Sequence, residues 1–196
     1  MNIQRLLVIL LAMTTISASA QQLGVRGGFS FINVSSKEDI DLSASTGFNI
    51  GLAVDLPLIA PMRVATGLLY TRRGYTSNID GMEGNATIDY IDIPIDFMLR
   101  IKPLNTVGAY VAMGPYFSYG VSSNVFDEDG TLVDGYSDDT IDLNRIDSGI
   151  NIGAGVEISS LRIGASYGLS FSDNRSIRDT ELKHRVFNLS ASYFFN

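Results

Sequence analysis

The chain of 196 residues contains no cysteine and no tryptophan. Without cysteine, disulfides, thiolate metal centres, thiol catalysis and a lipid-modified N-terminal cysteine are all excluded. A single histidine, His184, leaves little material for metal binding or imidazole catalysis. Positive charge is also in deficit: 14 Lys and Arg stand against 21 Asp and Glu, a net charge of -7. Nucleic-acid binding, which needs a basic footprint, is therefore not expected. After the first 20 residues no apolar run approaches the roughly 20 residues that a spanning helix requires. Glycine, by contrast, is plentiful at 19 residues, and mean hydropathy is +0.17.

The N-terminus reads as an export signal: a short positive segment, "MNIQR", then the apolar run "LLVILLAM", then Ala18-Ser19-Ala20 as a small-x-small cleavage site. Residues 1–20 are thus expected to be a signal peptide, and residues 21–196 one barrel domain.

Eight segments of that domain alternate apolar and polar residues with a period of two, the signature of strands. They are Gln22 to Phe31, Thr46 to Leu56, Met62 to Tyr75, about Thr87 to Ile101, Val107 to Val121, Ser148 to Ile158, Leu161 to Phe171 and Arg185 to Phe195. Each is about as long as the 9–11 tilted residues of a membrane strand. The connections sort by length. After the second, fourth and sixth segments come "PLIAP", "KPLNT" and "SS"; after the others come long polar stretches. Short turns on one side and long loops on the other belong to an outer-membrane barrel.

Parity then assigns the faces. In "YIDIPIDFMLRI" (Tyr90 to Ile101) every second residue from Ile91 is apolar, and Asp92, Asp96 and Arg100 lie between. Ile91 to Ile101, Ile150 to Ile158 and Leu161 to Phe171 place no charge on their apolar parity, and the charges Arg26, Asp55, Arg63, Arg73, Asp92, Asp96, Arg100, Glu157 and Arg162 are read on the inner one. Glycine and serine share that face in the sixth and seventh segments, where they would weaken a water-facing sheet but make room in a narrow lumen. The expected fold is all-β: an eight-stranded antiparallel up-and-down transmembrane β-barrel with a polar, plugged interior. An interior charge network of Arg26, Asp55, Arg63, Asp92, Asp96, Arg100, Glu157 and Arg162 is expected to fill it, since buried charge needs a partner. The Ser159-Ser160 turn sets a register that opposes Glu157 to Arg162 and Val156 to Ile163. Pro94 and Pro115, inside strands of a closed sheet, predict a bulge or a missing ladder bond near each.

The runs "YIDIPIDFMLRI", "YVAMGPYFSYG", "DSGINIGAGVEI" and "LRIGASYGLSF" resemble the outer-membrane β-barrel family grouped with PorT-like proteins, of OmpA/OmpX-type eight-stranded architecture. The resemblance covers most of residues 21–196. It implies residence in the outer membrane of a Gram-negative-type cell, and some relatives assist protein secretion. Barrels of this kind often end on an aromatic residue; here Asn196 follows Phe194-Phe195.

Candidate chemistry is sparse. His184, with Ser172 or Ser176, sketches a lipid-modifying site, against which stands a solvated loop-end histidine beside Lys183 and Arg185. Asp92 and Asp96 form an acid pair on paper but, with Arg100 near, read as an ion-pair network. Asp127, Asp129, Asp134, Asp138 and Asp139 offer oxygen ligands suited to calcium, yet the spacing of a calcium loop is missing. Gly153-x-Gly155 is too short for a dinucleotide fingerprint. The expectation is a protein that is not an enzyme, has no cofactor and no metal, and is not an open diffusion porin. Its partners would be outer-membrane lipid and periplasmic or cell-surface proteins. The alternatives are an accessory subunit of a PorT-like secretion machine, an outer-membrane lipid-modifying enzyme, and a soluble secreted lipocalin-like binder with its apolar residues inside.

Overall fold

The computed structural model describes residues 21–35, 45–79, 82–102, 106–126, 132–134, 145–171 and 183–195. The expected signal peptide lies outside them. The strands are β1 (Gln22–Ser35), β2 (Ser45–Pro57), β3 (Met62–Ile79), β4 (Met82–Ile101), β5 (Val107–Phe126), β6 (Leu132–Asp134), β7 (Ile146–Ile158), β8 (Leu161–Ser170) and β9 (Lys183–Phe195). All pairings are antiparallel, and β4 pairs with β5 to close the sheet. Eight strands therefore form a closed barrel, and the three-residue β6 adds only to the outer end of β5. Closure removes the sheet edges that lipid could not hydrogen-bond.

The apolar parity faces outward. Ile93, Phe97, Val111, Ile152, Ile163 and Leu189 are all exposed, Ile152 at 56%. Inward positions carry polar groups that are almost fully covered: Asp55, Ser30, Glu157 and Arg162. This inversion excludes the lipocalin-like arrangement, in which the isoleucines would be enclosed. Outward aromatics pair near the strand ends, as interfacial girdles do: Phe31 with Phe187 and Phe48 with Tyr70 at centroid separations of 6.2 Å, and Tyr193 with Phe195 at 5.8 Å.

The β7–β8 hairpin has the predicted register, with Glu157 opposite Arg162, Gly155 opposite Gly164 and Val156 opposite Ile163. A one-residue slip would have turned one strand's charges into lipid. In its turn Ser159 has φ of 53°, and among the described non-glycine residues only Ser159 lies at positive φ. One left-handed residue at the first central position is the pattern of a type II′ turn.

Two expectations are corrected, and the one about the prolines holds. The segment after Tyr75, expected as a long loop, is the tip of a β3–β4 hairpin whose ladder continues to Ile79 opposite Met82. The long connection from Ser122 is likewise strand as far as Phe126, and it contains β6. The prolines interrupt the ladder as expected, each on one side: the β3–β4 pairing skips Ile93 and Pro94 between Thr66↔Ile95 and Leu69↔Asp92, and the β4–β5 pairing breaks opposite Pro115. Between Pro94↔Tyr116 and Phe97↔Met113 the β4–β5 pairing skips Ile95 and Asp96, while the actual register shift sits between Asp89 and Tyr90. Pro115 stays paired with Ile150 on β7, so its missing donor costs only the β4 side. Beside that gap a Cβ on Gly114 would overlap the Ile95 carbonyl oxygen and crowd the Asp96 backbone. Gly114→Val is therefore expected to cost about 1–3 kcal/mol through forced strand separation, measurable as a lower urea midpoint of the detergent-folded barrel; an unchanged midpoint would refute this close approach.

Candidate functional site: the charged lumen

Alternation along the strands places five arginines (Arg26, Arg63, Arg73, Arg100, Arg162) and five carboxylates (Asp55, Asp92, Asp96, Asp147, Glu157) on the lumen side of the eight barrel strands. Their formal charges cancel, as a low-dielectric interior requires, but their distribution is uneven.

At the short-turn end, Asp55 and Glu157 are almost wholly enclosed. The Arg162 guanidinium bridges both, donating from Nη2 to Asp55 Oδ2 and lying 2.6 Å from Glu157 Oε1. Its Nε donates to the same Glu157 oxygen at 2.8 Å. Arg63 donates to Asp55 Oδ1, and Arg100 to Glu157 Oε2. Arg162 also lies over the Phe194 ring at 4.5 Å and the Tyr110 ring at 5.4 Å, where the ring faces favour a cation. The Tyr110 hydroxyl occupies the space that Gly155 and Gly164 leave open. These glycines are what a large tyrosine needs across a narrow barrel.

At the long-loop end, Arg73 Nη1 donates to Asp147 Oδ2 at 2.9 Å, and Nη2 reaches Asp92 Oδ2 and Ser118 Oγ at 3.5 and 3.4 Å. Ser170 donates to Asp147 Oδ1 at 2.6 Å. Arg73 lies 4.4 Å over the Tyr90 ring, and Tyr90 is only 1% exposed. Between the two ends, two cavities of about 50 Å³ each share Arg26, Pro94, Asn151 and Ser166 in their walls. At roughly 10–15 Å³ per enclosed water, each has room for a handful of waters. Arg26 and Asp96 both line the first cavity.

All eight residues of the expected interior network face the lumen, but they do not form one cluster. Arg100 joins Glu157 rather than Asp92 and Asp96; Asp92 joins Arg73. This corrects the ion-pair network expected around Arg100, because Arg100 lies eight residues nearer the short-turn end than Asp92 and the clusters are separated along the axis. Asp147 was missed as a site residue because it borders an acidic loop, although it shares parity with Gly149 and Asn151. A second charged pair was missed on the outer face: Arg72 and Asp89 make a two-pronged ion pair of 2.7 and 2.9 Å, with Tyr70 3.1 Å from Arg72. It sits beside the Phe48–Tyr70 girdle, at the level where lipid gives way to headgroups.

The His184 backbone lies in β9 opposite Val34. Ser172, Ser176, Asp127, Asp129, Asp138 and Asp139 lie outside the described residues. Asp134 is in β6. Gly153 and Gly155 lie mid-strand in β7, as packing positions.

A closed sheet with a greasy exterior and an ion-paired lumen defines a membrane-spanning β-barrel. The chain belongs to the outer membrane protein beta-barrel domain family, whose model matches residues 17–176, and its place is the outer membrane. Among solved structures it is similar to Ail of Yersinia pestis in complex with the heparin analogue sucrose octasulfate, with 18% identity, 89% of this chain and 99% of that one covered, and a TM-score of 0.50. It is similar also to Neisserial surface protein A, with 13% identity, 88% and 97% covered, and a TM-score of 0.52. At such identities the likeness concerns the fold. A search among curated proteins found no match.

Proposed function

We propose that this chain is a non-enzymatic, plugged outer-membrane barrel whose role is structural and interactive, exercised by a sheet that rises past the barrel rim on the long-loop side. The carrying observation is the length of three consecutive strands. β3, β4 and β5 have 18, 20 and 20 residues, whereas spanning takes about 9–11. The surplus of roughly nine residues projects about 30 Å of paired backbone at 3.3 Å per residue. β6 broadens this tab. Among the described residues β3 has no pairing with β2 beyond Arg73, so residues 74–79 present one ladder edge there. Such an edge is a template for a partner's strand.

Charge favours a cationic partner. The 122–147 connection is rich in aspartate and carries one arginine. A sulfated ligand like that named for the Ail structure would be repelled by it. Ion pairs at both ends of the lumen and small cavities between them support a barrel that is not a diffusion porin. A place in a PorT-like secretion machine has no structural observation in its favour.

Shortening the β3–β4 hairpin by removing residues 77–84 and rejoining the strands with a two-residue turn tests the proposal. The barrel is expected to keep its heat-modifiable gel migration while photo-cross-linking to a cell-surface protein, from a probe at Thr76, falls about tenfold or more. Undiminished cross-linking would locate the interaction elsewhere.

A further inference from the structure

We infer that the short-turn mouth of the lumen, which faces the periplasm in a barrel of this kind, is a binding site for a phosphate-type oxyanion, gathered by Lys102 and Arg100. This is independent of the surface sheet and shares with that reading only the orientation of the barrel.

Charge at this mouth is unequal. Four cations (Arg63, Arg100, Arg162 and Lys102) surround two carboxylates, Asp55 and Glu157. Every carboxylate oxygen already faces a cation. Asp55 Oδ1 meets Arg63 and Oδ2 meets Arg162; Glu157 Oε1 meets Arg162 and Oε2 meets Arg100. Lys102 Nζ stands 4.0 Å from that last, already occupied oxygen. With Arg63 set aside for the partners it already has, Arg100, Arg162 and Lys102 still exceed the described carboxylates of this cluster by one positive charge.

The layering gives the excess a direction. The carboxylates are innermost, at 0% and 3% side-chain exposure. Arg100 and Arg63 follow at 15% and 16%, and Lys102 is outermost at 35%. The sequence builds this deliberately at one point. Gly108 is buried on the lumen parity opposite Glu157, and the stem of Lys102 lies across it, with Cγ 2.8 Å and Cε 3.6 Å from where a Cβ would stand. Absence of a side chain at Gly108 is what lets Lys102 fold back from the turn into the mouth instead of pointing to the headgroups. There its ammonium sits among Arg100, Arg63 and Arg162. Burial and these like charges lower its pKa, with Glu157 opposing them. An incoming oxyanion would relieve that repulsion. Guanidinium and ammonium donors together suit phosphate oxygens. A cleft beside them, walled by Gln22, Ser159 and Leu161, opens the approach.

The phosphate can belong to an inner-leaflet lipid headgroup or to a soluble periplasmic anion. The test uses the folded barrel in a zwitterionic detergent. Inorganic phosphate, added against chloride at matched ionic strength, is expected to produce a saturable shift of the Lys102 side-chain NMR signals and a raised unfolding temperature. Lys102→Gln, a substitution at the most exposed member, is expected to fold normally by gel migration and to weaken the phosphate effect about tenfold. Native mass spectrometry separates the sources. Retention of phosphatidylglycerol over phosphatidylcholine, lost in Lys102→Gln, assigns the headgroup; phosphate binding without lipid selectivity assigns a soluble anion. No saturable phosphate effect in the unsubstituted barrel, or an equal one in Lys102→Gln, overturns the site.

Discussion

Asp55→Ala is expected to destabilise the barrel by about 3–5 kcal/mol, the cost of breaking a buried ion pair by removing one partner. Asp55 is fully covered and is held by two guanidiniums, those of Arg63 and Arg162. Its loss leaves both arginines facing Glu157 and each other in a lumen that admits little water. Asp55→Asn keeps the shape and acceptor oxygen but not the charge, so a smaller loss is expected. Because Arg63 owes its place to Asp55, the double variant Asp55→Ala, Arg63→Ala is expected to cost less than the sum of the two single changes, with coupling of about 1–3 kcal/mol. The readout is a urea titration of the vesicle-inserted barrel followed by gel migration, which suits a chain without tryptophan. A loss within about 0.5 kcal/mol, the range of ordinary surface substitutions, would mean that Asp55 is hydrated and the plug is not as drawn.

The same cluster illustrates what parity can reveal. The period of two told which side chains share a face, so Asp55, Glu157 and Arg162 could be placed in one lumen from the sequence. The two-residue connection between β7 and β8 even fixed a register, because a turn so short allows little slippage. Parity carries no information about height along the axis, however. Asp92, Asp96 and Arg100 share a face in one strand, yet Arg100 belongs with Glu157 and Asp92 with Arg73. Barrel shear, which staggers neighbouring strands, decides those partnerships and is written in no single strand.

The outer end was the least legible part for a different reason. Residues such as "TSNIDGMEGNAT" carry turn-forming and polar side chains, and lipid no longer imposes an apolar outer face there. Backbone pairing alone continues β3 and β4, so the alternation that marks the spanning part fades while the strand goes on. Arg72 and Asp89 illustrate the transition. They occupy the outer parity, forbidden to charge at the midplane, but they satisfy each other beside Tyr70 at the interface. The charge test that separated the faces therefore holds only within the apolar band. Asp147 erred in the other direction, a lumen residue hidden by its acidic loop neighbours.

The apolar band itself makes the second large prediction. Ile152 lies on β7 between Asn151 and Gly153, with Met113 and Tyr167 as its cross-strand partners. Its 56% exposure would, in a water-soluble sheet, make Ile152→Arg almost free of cost. In the bilayer the sign reverses. An arginine facing lipid near the midplane is expected to cost about 2–4 kcal/mol, and Ile152→Leu close to nothing. The substitution touches no lumen ion pair, so the gel-migration signature of the folded barrel should persist in detergent, where the new side chain can reach water. The loss should appear in unfolding from phospholipid vesicles, and should shrink when the arginine is placed instead at Phe171, nearer the long-loop rim, where guanidinium reaches the headgroups. An arginine at Ile152 that costs the same as one at Phe171 would contradict a lipid-facing β7, and with it the assignment of the isoleucines to the outside of the barrel.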